Sequence, residues 1–131
     1  MGLTERIATE HLDARRLAER LIEPCPPFIF RRDVRALLAF LPAHFHYEER
    51  DDGPFALAAA RVPAEAWRFD QVRDMHARML EVLEALFSLV ERDDSGDAAR
   101  LLARDLAGQL LDHERMEAEW LQTIRAPNAV P

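Results

Sequence analysis

Apolar residues recur along this chain at intervals of three and four, the period of helices buried on one face, in four long stretches separated by breaks rich in proline, glycine and aspartate. The first stretch opens after Thr4, a suitable N-cap, and runs to about Ile22 with Ile7, Leu12, Leu17 and Leu21 on its apolar side. Three prolines, Pro24, Pro26 and Pro27, make Glu23 to Phe30 a connection. The second stretch starts near Arg32 or Asp33 and turns Val34, Leu37, Leu38 and Leu41 inward. Pro42 removes one backbone donor and crowds the carbonyl of Leu38, which predicts a kink or a break before the pattern resumes in AHFHYEER. After the loosening at Asp51 to Pro54, Phe55 to Arg61 adds a further helical piece. The third long stretch spans about Ala64 to Val90, with Trp67, Met75, Met79, Leu80, Val82, Leu83 and Leu86 as core candidates. Ser95 or Asp97 caps the fourth, which continues to about Ile124. The pattern predicts an all-α, up-down-up-down four-helix bundle with a kinked or broken second helix, one domain over residues 1–125, and a flexible tail over 126–131.

Composition narrows what such a bundle can do. At 131 residues the chain buries one continuous core with room for a cofactor-sized site. The net charge of -7 and the absence of a basic block argue against nucleic acid or an anionic membrane as partner. No apolar run approaches the roughly 20 residues of a membrane span, and the amphipathic start MGLTERIATEHLD lacks a signal-peptide core, so a cytoplasmic protein is expected. All 17 basic residues are Arg, a usage that points to a GC-rich bacterial genome. Cys25 is the single cysteine, so a metal would be held through nitrogen and oxygen. Beside Cys25 only the distant Arg31 and Arg32 are electropositive, which argues against a reactive thiol.

Two helices carry a His followed by a Glu four residues on: His44 with Glu48, and His113 with Glu117. At about 3.6 residues per turn each pair projects from one face, imidazole and carboxylate one turn apart. Such a pair is more often an ordinary solvent-facing helix pair, so spacing alone does not make a site. Height along the bundle adds to it. His11 lies about 11 residues before the end of the first helix and His44 about 12 after the start of the second; His76 and His113 match to within about a turn. Four helices thus offer His11, His44, His76 and His113 to one layer, with Leu41, Phe45, Met79, Leu83 and Leu110 to pack around it. Four imidazoles with Glu48 and Glu117 as bridges suit two first-row transition ions, iron by preference, with manganese the alternative and with positions left for water, oxo or dioxygen.

These segments resemble a known family. LLAFLPAHFHYEE is similar to the hemerythrin-like stretch in which an apolar run leads into H-F-x-x-E-E, QLLDHERMEAEWL to its last-helix counterpart, and ATEHLDARRLAERL to its first helix. The resemblance covers about Leu3 to Ile124 and implies a non-haem di-iron centre on His11, His44, Glu48, His76, His113 and Glu117, able to meet oxygen or nitric oxide. Oxygen-carrying hemerythrins have a histidine one turn before the third-helix ligand, where this chain has Val72, and their last-helix carboxylate is more widely spaced. The departure argues against reversible oxygen transport. The set is also similar to the hemerythrin-like domain of the F-box iron-sensing ubiquitin-ligase subunit, which implies sensing or handling of iron, oxygen or nitric oxide. Two other readings stand beside it: a di-iron redox enzyme acting on oxygen or peroxide, and a metal-free helical interaction protein, with a homodimer through exposed Trp or Phe compatible with any of them.

Around the six ligand candidates, His46 points about opposite His44 and belongs on the surface. Glu10 and Asp74 are placed to orient an imidazole, or are surface charges. Glu49 is expected in solvent rather than in the place left by Val72, and Tyr47 lies close to the same turn.

Overall fold

The computed structural model describes residues 2–125, with side chains to 123, so the expected tail at 126–131 lies outside the described residues. The described chain is all-helical: α1 (Leu3–Leu21), α2 (Pro27–Glu48), α3 (Pro54–Arg61), α4 (Ala66–Glu91) and α5 (Asp97–Arg125), with a 3-10 turn at Pro63–Glu65 before α4. The expectation of four helices is therefore one short. α3, foreseen only as a further helical piece, is an element of its own. α1 packs on α2 and α5, α2 and α5 both pack on α4, and α3 lies against α4 and α5. None of the helices is long and apolar enough to cross a membrane.

Several boundaries move for physical reasons. Gly2, not Thr4, is the N-cap of α1. α2 begins at Pro27, because a proline in the first turn gives up an N–H that has no helical partner there. It then runs through Pro42 as one helix rather than breaking. Pro42 is exposed, so its ring faces solvent while Leu41, His44 and Phe45 keep the inner face. The Gly96 carbonyl accepts the first bond of α5 from Arg100, so neither Ser95 nor Asp97 is the residue flanking that helix.

α1 buries Ile7, His11, Ala14, Ala18 and Leu21, one residue per turn. Leu12, expected inside, is 53% exposed, and Trp67, expected in the core of α4, is 58% exposed. Leu12 is one position off the buried stripe of Ile7, His11, Ala14, Ala18 and Leu21, about 100° around α1 from His11, and so turns to solvent. The large apolar cluster joins Leu37, Leu41 and Phe45 of α2 to Met79, Leu83 and Leu86 of α4 and Leu106 and Leu110 of α5. A smaller one, at the end closed by α3, contains Ile7, Phe55, Ala58, Val72, Trp120 and Leu121.

At the opposite end the turn after α4 is fastened to α2. Asp93 takes a left-handed conformation (φ 57°), and the Asp94 N–H closes on the Leu89 carbonyl, a helix-ending geometry. Arg31 pairs with Asp93, and Arg35 grips Glu91 through two bonds of 2.6 and 2.8 Å. In the α1–α2 connection Arg100 of α5 lies 3.6 Å from the Cys25 Sγ and donates to the Cys25 carbonyl at 3.0 Å. The cation absent from Cys25 in the sequence is thus supplied from 75 positions away.

Candidate metal centre

Between the two apolar clusters lies one polar layer. It comprises His11 from α1, His44 and Glu48 from α2, His76 from α4, and His113, Glu114 and Glu117 from α5, all between 0 and 7% exposed. The helical stripe explains why α5 gives three. Its buried positions run Ala103, Leu106, Ala107, Leu110 and then continue with the same spacing through His113, Glu114, Glu117, Trp120 and Leu121. Where the stripe meets the layer, its residues change from apolar to ligand-type without a change of period.

The structure brings all six sequence candidates together and adds Glu114, which sequence reasoning missed. His113 had drawn attention through its partner at i+4, whereas Glu114 beside it has no histidine at i-4 or i+4. The available signal was its place four residues after Leu110 and seven after Ala107 on the apolar stripe.

The height argument holds for His76, 15 residues before the end of α4 at Glu91, and His113, 16 after the start of α5 at Asp97, but in the first pair it gave the right neighbours for a wrong reason. His11 lies ten residues before the end of α1 at Leu21, whereas His44 lies 17 after the start of α2 at Pro27. The difference is about 10 Å of rise, so the first turns of α2 overhang α1. The His11 and His44 rings nevertheless meet at 5.3 Å between centroids, and His76 meets His113 at 4.7 Å.

Two groups of potential ligand atoms, each within 4.8 Å of one another, share a single residue: His11, His44, Glu48 and Glu114 form one, and Glu48, His76, His113 and Glu117 the other. Glu48 divides its oxygens between them. Its Oε2 is 2.7 Å from His11 Nε2 and 3.4 Å from His44 Nε2, and its Oε1 is 3.0 Å from His76 Nε2. Glu114 faces the first group, with Oε2 3.2 Å from His11 Nε2 and Oε1 3.6 Å from His44 Nε2. Glu117 Oε1 is 3.0 Å from His113 Nε2 and 3.6 Å from His11 Nε2, while its Oε2 is 3.7 Å from His76 Nε2.

Further carboxylates hold two of the rings from behind. His44 Nδ1 lies 2.9 Å from Glu10 Oε1, and His76 Nδ1 lies 2.8 Å from Glu49 Oε2. A carboxylate only accepts, so each Nδ1 carries a proton and donates it, which turns Nε2 toward the layer. Glu10 thus takes the orienting role open to it, whereas Asp74 stays on the surface. Glu49, expected in solvent, is only partly exposed and serves His76. Tyr47 packs with the smaller apolar cluster under the Arg6 guanidinium, 3.9 Å from the ring centroid, rather than in the layer. Val72 is completely buried in that cluster, and His46 is exposed. Phe45 stacks on His76 at 3.9 Å and 9°, fixing that ring from the opposite side.

The electrostatics without metal are those of a proton-filled site. Burial opposes charge on His44, but Glu114, Glu48 and Glu10 outweigh it and raise this imidazole to about 9. Burial likewise opposes charge on His76, and Glu117, Glu48 and Glu49 raise it to about 11. Burial would push Glu117 up, yet His113 and His76 bring it down to about 2. His11 is raised as well, its desolvation overcome by Glu48, Glu114 and Glu117.

Protons leave the layer incompletely satisfied. Among the described residues, His44 Nε2, His76 Nε2, His113 Nε2, Glu48 Oε1 and both oxygens of Glu114 and Glu117 find no hydrogen-bond partner, though all are buried. Orphans of this kind cost about 1–3 kcal/mol each, and here they converge on two points. Cations bound by nitrogen and oxygen would engage them together, so the donor set fits metal.

The chain matches the family model for the hemerythrin HHE cation-binding domain over residues 2–124. No curated protein and no solved structure matches it.

Proposed function

The chain belongs to the hemerythrin HHE cation-binding family, and on that premise we propose that its polar layer binds two iron ions and that the protein senses or handles oxygen, nitric oxide or iron. The observation that carries this reading is the sharing of Glu48 by two groups that each contain two histidines. His11, His44 and Glu114 would hold one ion, and His76 and His113 the other. Glu48 would bridge them, with Glu117 reaching across from the second group toward His11. When bound, the ions supply reversible redox chemistry and coordination positions for a small ligand.

The surrounding residues favour small molecules over bulky substrates, since the seven layer residues are at most 7% exposed and apolar clusters cover both sides. Glu10 and Glu49 keep the His44 and His76 rings in the tautomer that presents Nε2, and they make each imidazole a stronger donor. Because α1, α2, α4 and α5 each contribute, filling the layer ties four helices to one another. That linkage gives a sensor its output: metal supply changes the stability of the whole bundle.

Metal analysis with an optical spectrum tests the proposal, on protein grown in iron-supplemented medium and purified without chelator. The expected result is about two irons per chain with near-ultraviolet charge-transfer absorption. Protein that takes up no iron, even on anaerobic addition, would refute it.

A further inference from the structure

The two carboxylates that back the layer are not held alike. Glu10 accepts from His44 Nδ1 through Oε1 at 2.9 Å and from Arg6 Nε through Oε2 at 3.1 Å. Arg6 is itself held from the other side, its guanidinium 3.9 Å over the Tyr47 ring of α2. Glu49 accepts from His76 Nδ1 at 2.8 Å, and among the described residues no arginine pairs with it.

The stability of α1 does not account for Arg6 at this position. It stands near the start of the helix, where the dipole disfavours a cation, and it precedes its acid by four residues, the weaker order for such a pair. An exposed pair of this kind contributes little by itself. Glu10, however, is only 17% exposed, and its other oxygen is committed to a buried imidazole. What Arg6 does to Glu10 therefore passes to His44. That ring is the one more in need of it: Phe40 stacks on His44 at 5.3 Å between centroids and 18°, whereas Phe45 stacks on His76 at 3.9 Å and 9°. Close packing fixes His76, and the looser His44 ring relies on its carboxylate.

Resting on the di-iron reading above, we propose that Arg6 is a positioning residue for the half of the layer that contains His11 and His44. It fixes the carboxylate of Glu10, Glu10 fixes the His44 ring with Nε2 toward the ion, and the half containing His76 and His113 is set without it.

Arg6→Met keeps an unbranched stem and removes the donor and the charge, so it is the variant to measure. Arg73→Met is the matched control: Arg73 pairs with Asp70 and lies 4.8 Å over the Phe69 ring, but Asp70 is exposed and bonds no imidazole. In metal-free protein with isotope-labelled histidine, nuclear magnetic resonance reads the exchange of each Nδ1 proton with water. Arg6→Met should speed exchange at His44 by at least about fivefold and leave His76 within about twofold of wild type. In iron-loaded protein, competition with a chromophoric chelator should show one of the two ions weakened by at least about fivefold in Arg6→Met and neither weakened in Arg73→Met. Arg6→Met combined with Glu10→Gln should be no worse than Glu10→Gln alone, because one residue acts through the other. A smaller change at His44, an equal one at His76, the same loss in Arg73→Met, or additive losses in the double variant would overturn the proposal. A wild-type chain that takes up no iron refutes the di-iron reading instead, and the exchange measurement, which needs no metal, still decides whether Arg6 positions His44.

Discussion

Glu48→Ala and Glu114→Ala should differ in how many ions they remove, and the difference follows from where each carboxylate sits. Glu48 belongs to both donor groups and Glu114 to one. Loss of residues that merely orient a ligand costs about 10–100-fold in affinity, so loss of a direct ligand is set at about 100-fold. With free metal at about 100 times the wild-type dissociation constant, each ion stabilises the fold by about 2.7 kcal/mol, and a 100-fold loss lowers that to about 0.4 kcal/mol. Glu114→Ala should then forfeit about 2.3 kcal/mol of metal-dependent stability, and Glu48→Ala about twice as much. For a domain of this size, 1 kcal/mol moves Tm by about 3–5 °C, so the metal-induced rise in Tm should fall by about 7–11 °C in the first variant and about 14–23 °C in the second. The assay is thermal unfolding of each protein with and without metal, each compared with its own metal-free baseline, alongside metal analysis. Glu114→Ala should keep about one ion per chain and Glu48→Ala almost none. If Glu114→Ala retains the full wild-type rise, or empties both groups as Glu48→Ala does, the assignment of Glu114 to a single ion is wrong.

Other outcomes follow from the same structure. Glu10→Gln and Glu49→Gln should each weaken metal binding by about 10–100-fold without abolishing it, read by competition with a chromophoric chelator, because each leaves Nε2 in place but loosens the ring. In metal-free protein the raised His44 and His76 contribute stability that is full below about pH 6.5 and is lost as pH climbs through about 9 and then about 11, while Glu117 contributes stability that is lost as pH falls from about 4.5 through about 2. Denaturant midpoints of apoprotein should therefore fall on both sides of neutrality, whereas metal affinity should rise with pH as Nε2 protons leave. Phe55→Ala should cost about 3–5 kcal/mol in urea unfolding, since Phe55 is completely buried and tilted against Trp120 at 5.0 Å. His46→Ala should leave metal content and Tm unchanged, because its exposed ring has no place in the layer.

Local periodicity was enough to establish the helical class and, with the His–Glu spacings, to bring forward His44, Glu48, His113 and Glu117; His11 and His76 came from their level in the bundle and from the family resemblance. The period and the His–Glu pairs depend on residues within a turn or two of each other, where helix geometry leaves little freedom. Loop-dependent inferences fared worse. The start of α2 shifted to Pro27 because a proline is as compatible with a helix's first turn as with a loop, and an exposed Pro42 did not interrupt the helix. Val72 stood out only against the family pattern, and nothing local indicated that it would be buried with Ile7, Phe55, Ala58, Trp120 and Leu121.

What only tertiary structure decided is which side chains from different helices face each other. Glu114 became a candidate donor because α5 lies between α1 and α4, so that adjacent residues His113 and Glu114 turn toward different neighbours. Glu10 and Glu49 found imidazoles 34 and 27 positions away, while Asp74, two residues from His76 in sequence, remained outside. Arg100 reached Cys25 across 75 positions. A sequence constrains residues one turn apart through backbone geometry, but neighbours across a bundle depend on helix rotation and depth. Those are settled by packing of the whole core, to which α1 and α5 bring buried alanines and α2 and α4 bulkier residues.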